Sequence, residues 1–242
     1  PITLAERNLI LDKNELHDNI AIIDVGAENT DIGVFEGTTY IYTNSMPVGG
    51  ENITNDIALV LNIEKEEADK LKRQYGLALK SFIDNDNDII LNTCKDNNKN
   101  KIIKSSELIE IIEARIEDMF LIINKDLTNQ GIKSRINNVI LTGQGIVNIS
   151  KSDVAGKINL NIPVKISTGR LIGTTKPTYR TAYALVRYIA SRPFTKTVSS
   201  SIDTKSNENI FKNIFMRRCH FFRQNTAFTT AHRRTCQSAA PG

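Results

Sequence analysis

An apolar run, a short acidic turn carrying a glycine, and a second apolar run constrain this chain more than any other feature. Ile20-Ala21-Ile22-Ile23 has the length and composition of a buried strand. Asp24-Val25-Gly26-Ala27-Glu28-Asn29-Thr30-Asp31 turns the chain, and Ile32-Gly33-Val34-Phe35 resumes strand character. Glu36-Gly37-Thr38-Thr39 then leads into a third strand at Tyr40-Ile41-Tyr42. A turn of this kind suits a phosphate group. Gly26 lets backbone approach an anion closely, Thr30 offers a hydroxyl, and Asp24 and Asp31 are carboxylates able to hold a hydrated magnesium ion. An ordinary hairpin with an acidic turn accounts for the same residues.

The segments that follow narrow the choice. Ser45-Met46-Pro47-Val48-Gly49-Gly50-Glu51-Asn52-Ile53-Thr54-Asn55-Asp56-Ile57-Ala58 leads from a strand end through a Gly-Gly turn into a helix. Glu66-Glu67-Ala68-Asp69-Lys70-Leu71-Lys72-Arg73-Gln74-Tyr75-Gly76 is a charged helix closed by glycine. Asn138-Val139-Ile140-Leu141-Thr142-Gly143-Gln144-Gly145 is a further strand with a glycine-rich end. In this order and spacing, from about Ile20 to about Ala190, the chain resembles the second half of the bacterial cell-division actin homologue FtsA. Pro-Val-Gly-Gly followed by Ile-Thr-Asn-Asp-Ile-Ala is closer to that family than to actin, Hsp70 or the rod-shape protein MreB.

The resemblance implies an α/β fold: an actin-like ATPase subdomain of the ribonuclease-H-like type, carrying an inserted α+β subdomain, with the N-terminal actin-like half absent. It implies ATP and Mg2+ as cofactors. Asp24, Gly26, Ala27 and Thr30 match the second phosphate loop, with Asp24 toward the metal. Asp69 and Lys72 match the helix positions near ribose and base, and Thr142, Gly143 and Gly145 match the glycine turn beneath the adenine. Glu28, Asn29 and Gln144 depart from the family pattern. A carboxylate at Glu28 repels a triphosphate unless turned outward or bridged by magnesium. A solvated helix face explains Asp69 and Lys72 without any ligand. Gly49 and Gly50 are read as shaping a turn.

Residues 52–130 read as the insertion, where the family receives the C-terminal peptide of the tubulin homologue FtsZ. Helices are expected at Asn52–Leu61 and Lys65–Tyr75, and a strand pair around Leu79–Ile83 and Asp88–Thr93. A polar loop at Cys94–Asn100 leads to a long helix from Ser105, opened by a capping signature and apolar at helical spacing through Ile123. Arg115 on that helix matches a basic residue of the docking surface. It fits bidentate pairing with a peptide carboxylate and, equally, an intrahelical salt bridge with its Glu113 and Glu117 neighbours.

The sheet domain, residues 19–51 and 131–191, is expected to resume with strand Asn138–Thr142, a weak helix around Ile149–Lys157 and strand Val164–Ser167. A final helix at Thr178–Ile189 carries Ala182, Leu185, Val186 and Ile189 on one face. Residues 1–18 read as the remnant of a preceding domain, making the chain a C-terminal piece of something longer.

Of 31 Lys/Arg and 27 Asp/Glu, nine and two lie from Arg192 onward, so a mildly acidic body carries a basic tail. Such a tail points to an anionic partner, membrane or nucleic acid. Residues 192–208 are a polar linker. In 209–223, Phe211, Ile214, Phe215, Cys219 and Phe222 share a helical face, with Lys212, Arg217 and Arg223 elsewhere. That pattern reads as an amphipathic anchor on an anionic membrane surface. A helix packed back on its own domain and an unstructured basic tail are the other two readings. The family resemblance favours the membrane, with no nucleic acid partner. Residues 224–242 show no usable periodicity. Cys94, Cys219 and Cys236 lie outside any metal-ligand spacing, and no apolar run approaches the roughly 20 residues of a spanning helix.

The expected function is therefore a structural one. It combines ATP binding with slow hydrolysis at most, self-association into actin-like polymers, docking of an FtsZ-like protein, and a cytoplasmic location with peripheral attachment to the inner face of the cell membrane at the division site. An Hsp70-like or sugar-kinase-like ATPase, and an interaction module that has lost nucleotide binding, are the alternatives.

Overall fold

Ile20–Val25 (β1) is an apolar run buried on both sides, and it takes the centre of a mixed five-stranded sheet. Thr30–Glu36 (β2) pairs antiparallel with it in the register Ile22 to Gly33, and Thr39–Met46 (β3) pairs antiparallel with β2 at the edge. On the other side Asn138–Thr142 (β6) runs parallel to β1, with Asp24 opposite Thr142, and Val164–Ile166 (β7) runs parallel to β6. The spatial order is β3-β2-β1-β6-β7. The computed structural model describes residues 2–11, 15–91, 101–167 and 177–190.

Alternation along β1 sorts the core into two clusters. Ile20 and Ile22 face Phe35, Ile140 and the helix Ile2–Ile10 (α1), while Ala21, Ile23 and Val25 face the other layer. Helix α1 is thus part of the sheet domain's own core. Gly33 on β2 permits its approach, since a Cβ there would stand 2.2 Å from the Thr3 hydroxyl oxygen. The final helix, Pro177–Ala190 (α6), packs on the same face through Ala184 and Tyr188. The face expected from periodicity is instead exposed: Leu185, Val186 and Ile189 are 42%, 67% and 56% accessible. The neighbouring stripe wins because small Ala184 allows a closer approach, and the Thr181 hydroxyl donates to Glu6 of α1.

Between β3 and β6 the chain builds Gly50–Leu61 (α2), Lys65–Tyr75 (α3), a two-stranded hairpin and the 25-residue helix Ser105–Asn129 (α4). The hairpin pairs Asp88–Leu91 (β4) with Lys101–Lys104 (β5), not with Leu79–Ile83. Lys80–Phe82 forms a 3-10 turn, because the Lys80 amide donates to Glu113 and its ammonium to Glu110 of α4. Residues 92–100, with the expected loop at Cys94–Asn100 and the end of the expected strand at Thr93, lie outside the described residues. The capping signature at Ser105 also resolves differently. Asp86, from the preceding segment, accepts from the Ser106 amide and from the Ser105 and Ser106 hydroxyls. The Ser106 amide bond, aided by these hydroxyls, holds the Asp86 carboxyl below its ordinary pKa.

Helix α4 spans both parts. Its Asp126 accepts from the Tyr42 hydroxyl (2.9 Å) and the Asn44 amide (3.1 Å) on β3. Burial, and then the Asp126 carboxylate, push the Tyr42 hydroxyl up to about 12. Ser152–Leu160 (α5) covers the same sheet face, with Gly156 against the Phe120 ring of α4. Residues 1–188 form one compact unit and 189–242 another, of which only Ile189 and Ala190 are described. Among the described residues no helix is long and apolar enough to cross a membrane.

Phe120 is 1% exposed, so truncation removes an aromatic ring from the seam of α4, α5 and the sheet. Phe120→Ala is expected to lower unfolding stability by about 3–5 kcal/mol in urea titration.

Candidate functional site

The turn after β1 is held as a rigid corner. The Gly26 amide donates to the Asn29 carbonyl at 2.8 Å, closing the turn. The Gly26 and Ala27 carbonyls then accept from the first amides of α2, Gly50 (3.0 Å) and Glu51 (2.8 Å). A helix N-terminus carries unpaired N–H groups and a partial positive charge, and here the turn supplies both acceptors and opposing dipoles. The Gly145 amide donates to the Val25 carbonyl at 2.8 Å, which brings in the loop after β6. Three separate segments therefore meet at one corner.

Only residues without side chains fit there. A Cβ on Gly49 would lie 2.5 Å from the Ala27 carbonyl oxygen, and one on Gly145 would lie 2.2 Å from the Gly26 oxygen. Gly143 adopts φ +95 beside the Asp24 carboxylate, a conformation side chains disfavour. The Gly-Gly pair read as shaping a turn also takes part in this contact, and Gly50 lines the adjoining cleft.

That cleft, of about 360 Å³, is bounded by the corner, the start of α2, helix α3 and the loop after β6. Of the residues singled out in the sequence, Ala27, Gly50, Asp69, Lys72, Gln144 and Gly145 line it. Asp24 and Gly26 are half-buried, Thr142 and Gly143 are buried, and none of the four lines it. Thr30 is fully buried and donates its hydroxyl to the Val48 carbonyl at 2.6 Å, so it holds the corner together and does not reach the cleft. The structure adds Glu51, Thr54, Lys65, Glu66, Arg73 and Asn148 to the lining. Sequence reasoning missed most of these because they join the site through the approach of α2 to α3, not through any motif.

Helix α3 presents its charges to the cleft as a network. The Lys72 ammonium donates to the Gly50 carbonyl (3.0 Å) and the Thr54 hydroxyl (2.6 Å), and lies 3.2 Å from Asp69. These contacts match the three donors of an ammonium group. Arg73 donates to Asp69 at 2.7 Å. Burial alone would raise the Asp69 carboxyl, but the hydrogen bonds and charges of Arg73 and Lys72 outweigh it and hold the group below its ordinary value. Lining charges balance: Lys65, Lys72 and Arg73 against Glu51, Glu66 and Asp69, with Lys65 paired to Glu51 at 3.1 Å.

Arg115 lies elsewhere, in a groove of about 540 Å³ between α2 and α4. It makes a bidentate pair with Asp56 of α2 and stands 3.8 Å from Asp118. The pairing is interhelical, so neither reading from the sequence anticipated its partner. Phe211, Lys212, Ile214, Phe215, Arg217 and Phe222 lie outside the described residues.

Two consequences are measurable. Gly145→Ala forces backbone apart at the corner and is expected to cost about 1–3 kcal/mol in denaturant titration. The Asp69 network, with its lowered folded pKa, stabilises above the ordinary carboxylate range and loses that contribution as pH falls through and below about 4. Asp69→Asn is therefore expected to be less stable than the native chain at neutral pH, with the gap closing in acid.

The model of the family described as cell division protein FtsA matches residues 21–184. FtsA of Bacillus subtilis is 31% identical over 185 residues, which is 76% of this chain and 42% of that protein. FtsA of Buchnera aphidicola is 31% identical over 221 residues, covering 86% of this chain and 52% of its own length. The chain thus spans about half the length of these curated relatives. Among solved structures, MreB 5 of Spiroplasma citri bound to AMPPNP superposes with TM-score 0.62 at 16% identity, covering 83% of this chain and 60% of that one. A non-polymerising MamK mutant bound to AMPPNP superposes with TM-score 0.53 at 14% identity, covering 77% and 56%. The fold is therefore actin-like, and by its sequence the chain belongs to the FtsA family of cell-division proteins.

Proposed function

We propose that, within a protein of its relatives' length, this chain supplies one side of an ATP cleft, a docking subdomain for an FtsZ-like tubulin homologue, and a basic membrane-surface anchor. Through these it tethers a division filament to the inner face of the cell membrane and self-associates as actin-like proteins do. The observation that carries the nucleotide part is the corner itself: the turn at 26–29, the Gly-Gly pair and the loop at 143–145 are bonded together beside Asp69 and Lys72 in one cleft. Two similar structures hold AMPPNP, which supports a nucleotide in this fold.

The residues fit such a ligand in part. Gly50 and Gly145 bring bare backbone to the cleft wall and Ala27 only a methyl group, and Asp69, Lys72 and Arg73 offer polar contacts for ribose and base. Asp24 is the residue that would hold magnesium, whose charge would neutralise phosphate oxygens. Against tight binding stand three features. Lining charges sum to zero, the Lys72 donors already have acceptors, and exposed Glu28 adds a carboxylate at the turn. The same features favour a second reading, an interaction module that uses the actin-like fold without nucleotide.

Calorimetric titration of the 242-residue chain with MgATP is expected to show binding weaker than micromolar; micromolar affinity would contradict the charge argument. Co-sedimentation with anionic vesicles is expected to retain the chain, and deletion of 209–223 to release it, whereas equal retention of both would remove the anchor.

A further inference from the structure

We infer that Lys65 is the cation that meets the anionic end of a ligand in the cleft beside the glycine corner, and that Glu51 competes with the ligand for it. The inference rests on reading that cleft as a nucleotide site, and it names the residues that set its charge selectivity. Lys65, Glu66, Asp69, Lys72 and Arg73 line the cleft at positions i, i+1, i+4, i+7 and i+8 of α3. That spacing places them all on one face of the helix. A chain of contacts joins Lys65 to the corner. Its ammonium lies 3.1 Å from the Glu51 carboxylate, and the Glu51 amide donates to the Ala27 carbonyl at 2.8 Å.

The three cations of the lining differ in what they can release. The Lys72 side chain is 14% accessible, and Gly50, Thr54 and Asp69 take its three donors, so a ligand would have to replace buried bonds. Arg73 lies two turns beyond Lys65, roughly 12 Å along the helix axis, and shares Asp69 with Lys72. Among the described residues Lys65 pairs with Glu51 alone, through side chains that are 51% and 45% accessible. An exposed pair of this kind contributes little, so an incoming anion takes the ammonium at small cost. A polyphosphate carries more charge than one carboxylate and attracts the ammonium more strongly at equal distance. Once displaced, the Glu51 carboxylate stays beside the bound anion and repels it. Glu51 is thus a competitor held in the site. Neutralising it changes the lining from three cations against three anions to three against two.

Ligand-observed NMR titration of the 242-residue chain with MgATP and with adenosine tests this, since adenosine enters the cleft without an anionic end. Glu51→Gln is expected to tighten MgATP by roughly threefold to tenfold at low salt, with the gain shrinking as salt rises, and to leave adenosine unchanged. Lys65→Gln is expected to weaken MgATP by a similar factor, while Lys65→Arg keeps it near the native value. Thermal melting is expected to stay in place in all three variants, because the pair is exposed. MgATP binding that ignores both Glu51→Gln and Lys65→Gln overturns the inference and leaves the nucleotide reading intact. Equal gains for MgATP and adenosine in Glu51→Gln also overturn it, since the effect then comes from the shape of the cleft. Binding of neither ligand to any of the four chains overturns the nucleotide reading, and the inference with it.

Discussion

A helix that starts against a sheet must find acceptors for its first amides, and in this protein those acceptors are the carbonyls of Gly26 and Ala27. Each such bond contributes about 0.5–1.5 kcal/mol net, but its larger effect is positional. It fixes the start of α2 to the turn after β1, and the Gly145-to-Val25 bond fixes the loop after β6 to the same place. Because no side chain intervenes at Gly49, Gly50 or Gly145, the three backbones lie at contact distance. The buried Thr30 hydroxyl, bonded to Val48, closes the arrangement from beneath. Everything around the cleft is referred to this corner. Lys72 reaches the Gly50 carbonyl only because α2 begins there.

Helix α2 also links the two surfaces of interest. Its first turns, through Gly50, Glu51 and Thr54, line the cleft; its later turns, through Asp56, Val60 and Leu61, line the groove. The Asp56 pair with Arg115 ties it to α4, and Asp126 ties α4 back to Tyr42 and Asn44 on the edge strand. The inserted segment is thus tied together by the Asp56–Arg115 pair and joined to the sheet near the C-terminal end of α4 by the bonds to Asp126, charge-assisted hydrogen bonds that are shorter and stronger than neutral ones. Covalent connection alone would leave the insertion free to swing; these contacts set its attitude to the sheet.

Much of the fold was legible in the residues. The apolar runs of β1, β2 and β6 and the periodic charges of α3 signalled elements close to those observed, because their burial pattern is a property of local sequence. The glycine corner was legible as three separate motifs. What failed did so at contacts between distant segments. Leu79–Ile83 has strand-like residues, yet Lys80 is captured by Glu110 and Glu113, some thirty positions later. The seam of α6 shifted by one position because sheet packing chose the small Ala184 over larger neighbours. Thr30 looked like a ligand group, and the fold turned its hydroxyl inward.

The amino-acid sequence by itself determined the order of elements, the family to which they belong and the residues able to meet backbone at close range, since each depends on composition and spacing along the chain. Which charges remain open to a partner was decided only by the tertiary structure. Arg115 and Lys72 are strong cations in any reading of the chain, but both are satisfied by groups far away in sequence, Asp56 in one case and Gly50 and Thr54 in the other. Pairing in three dimensions, not residue type, sets what a cation can still bind, because a donor already held by an acceptor must give up one bond to form the next.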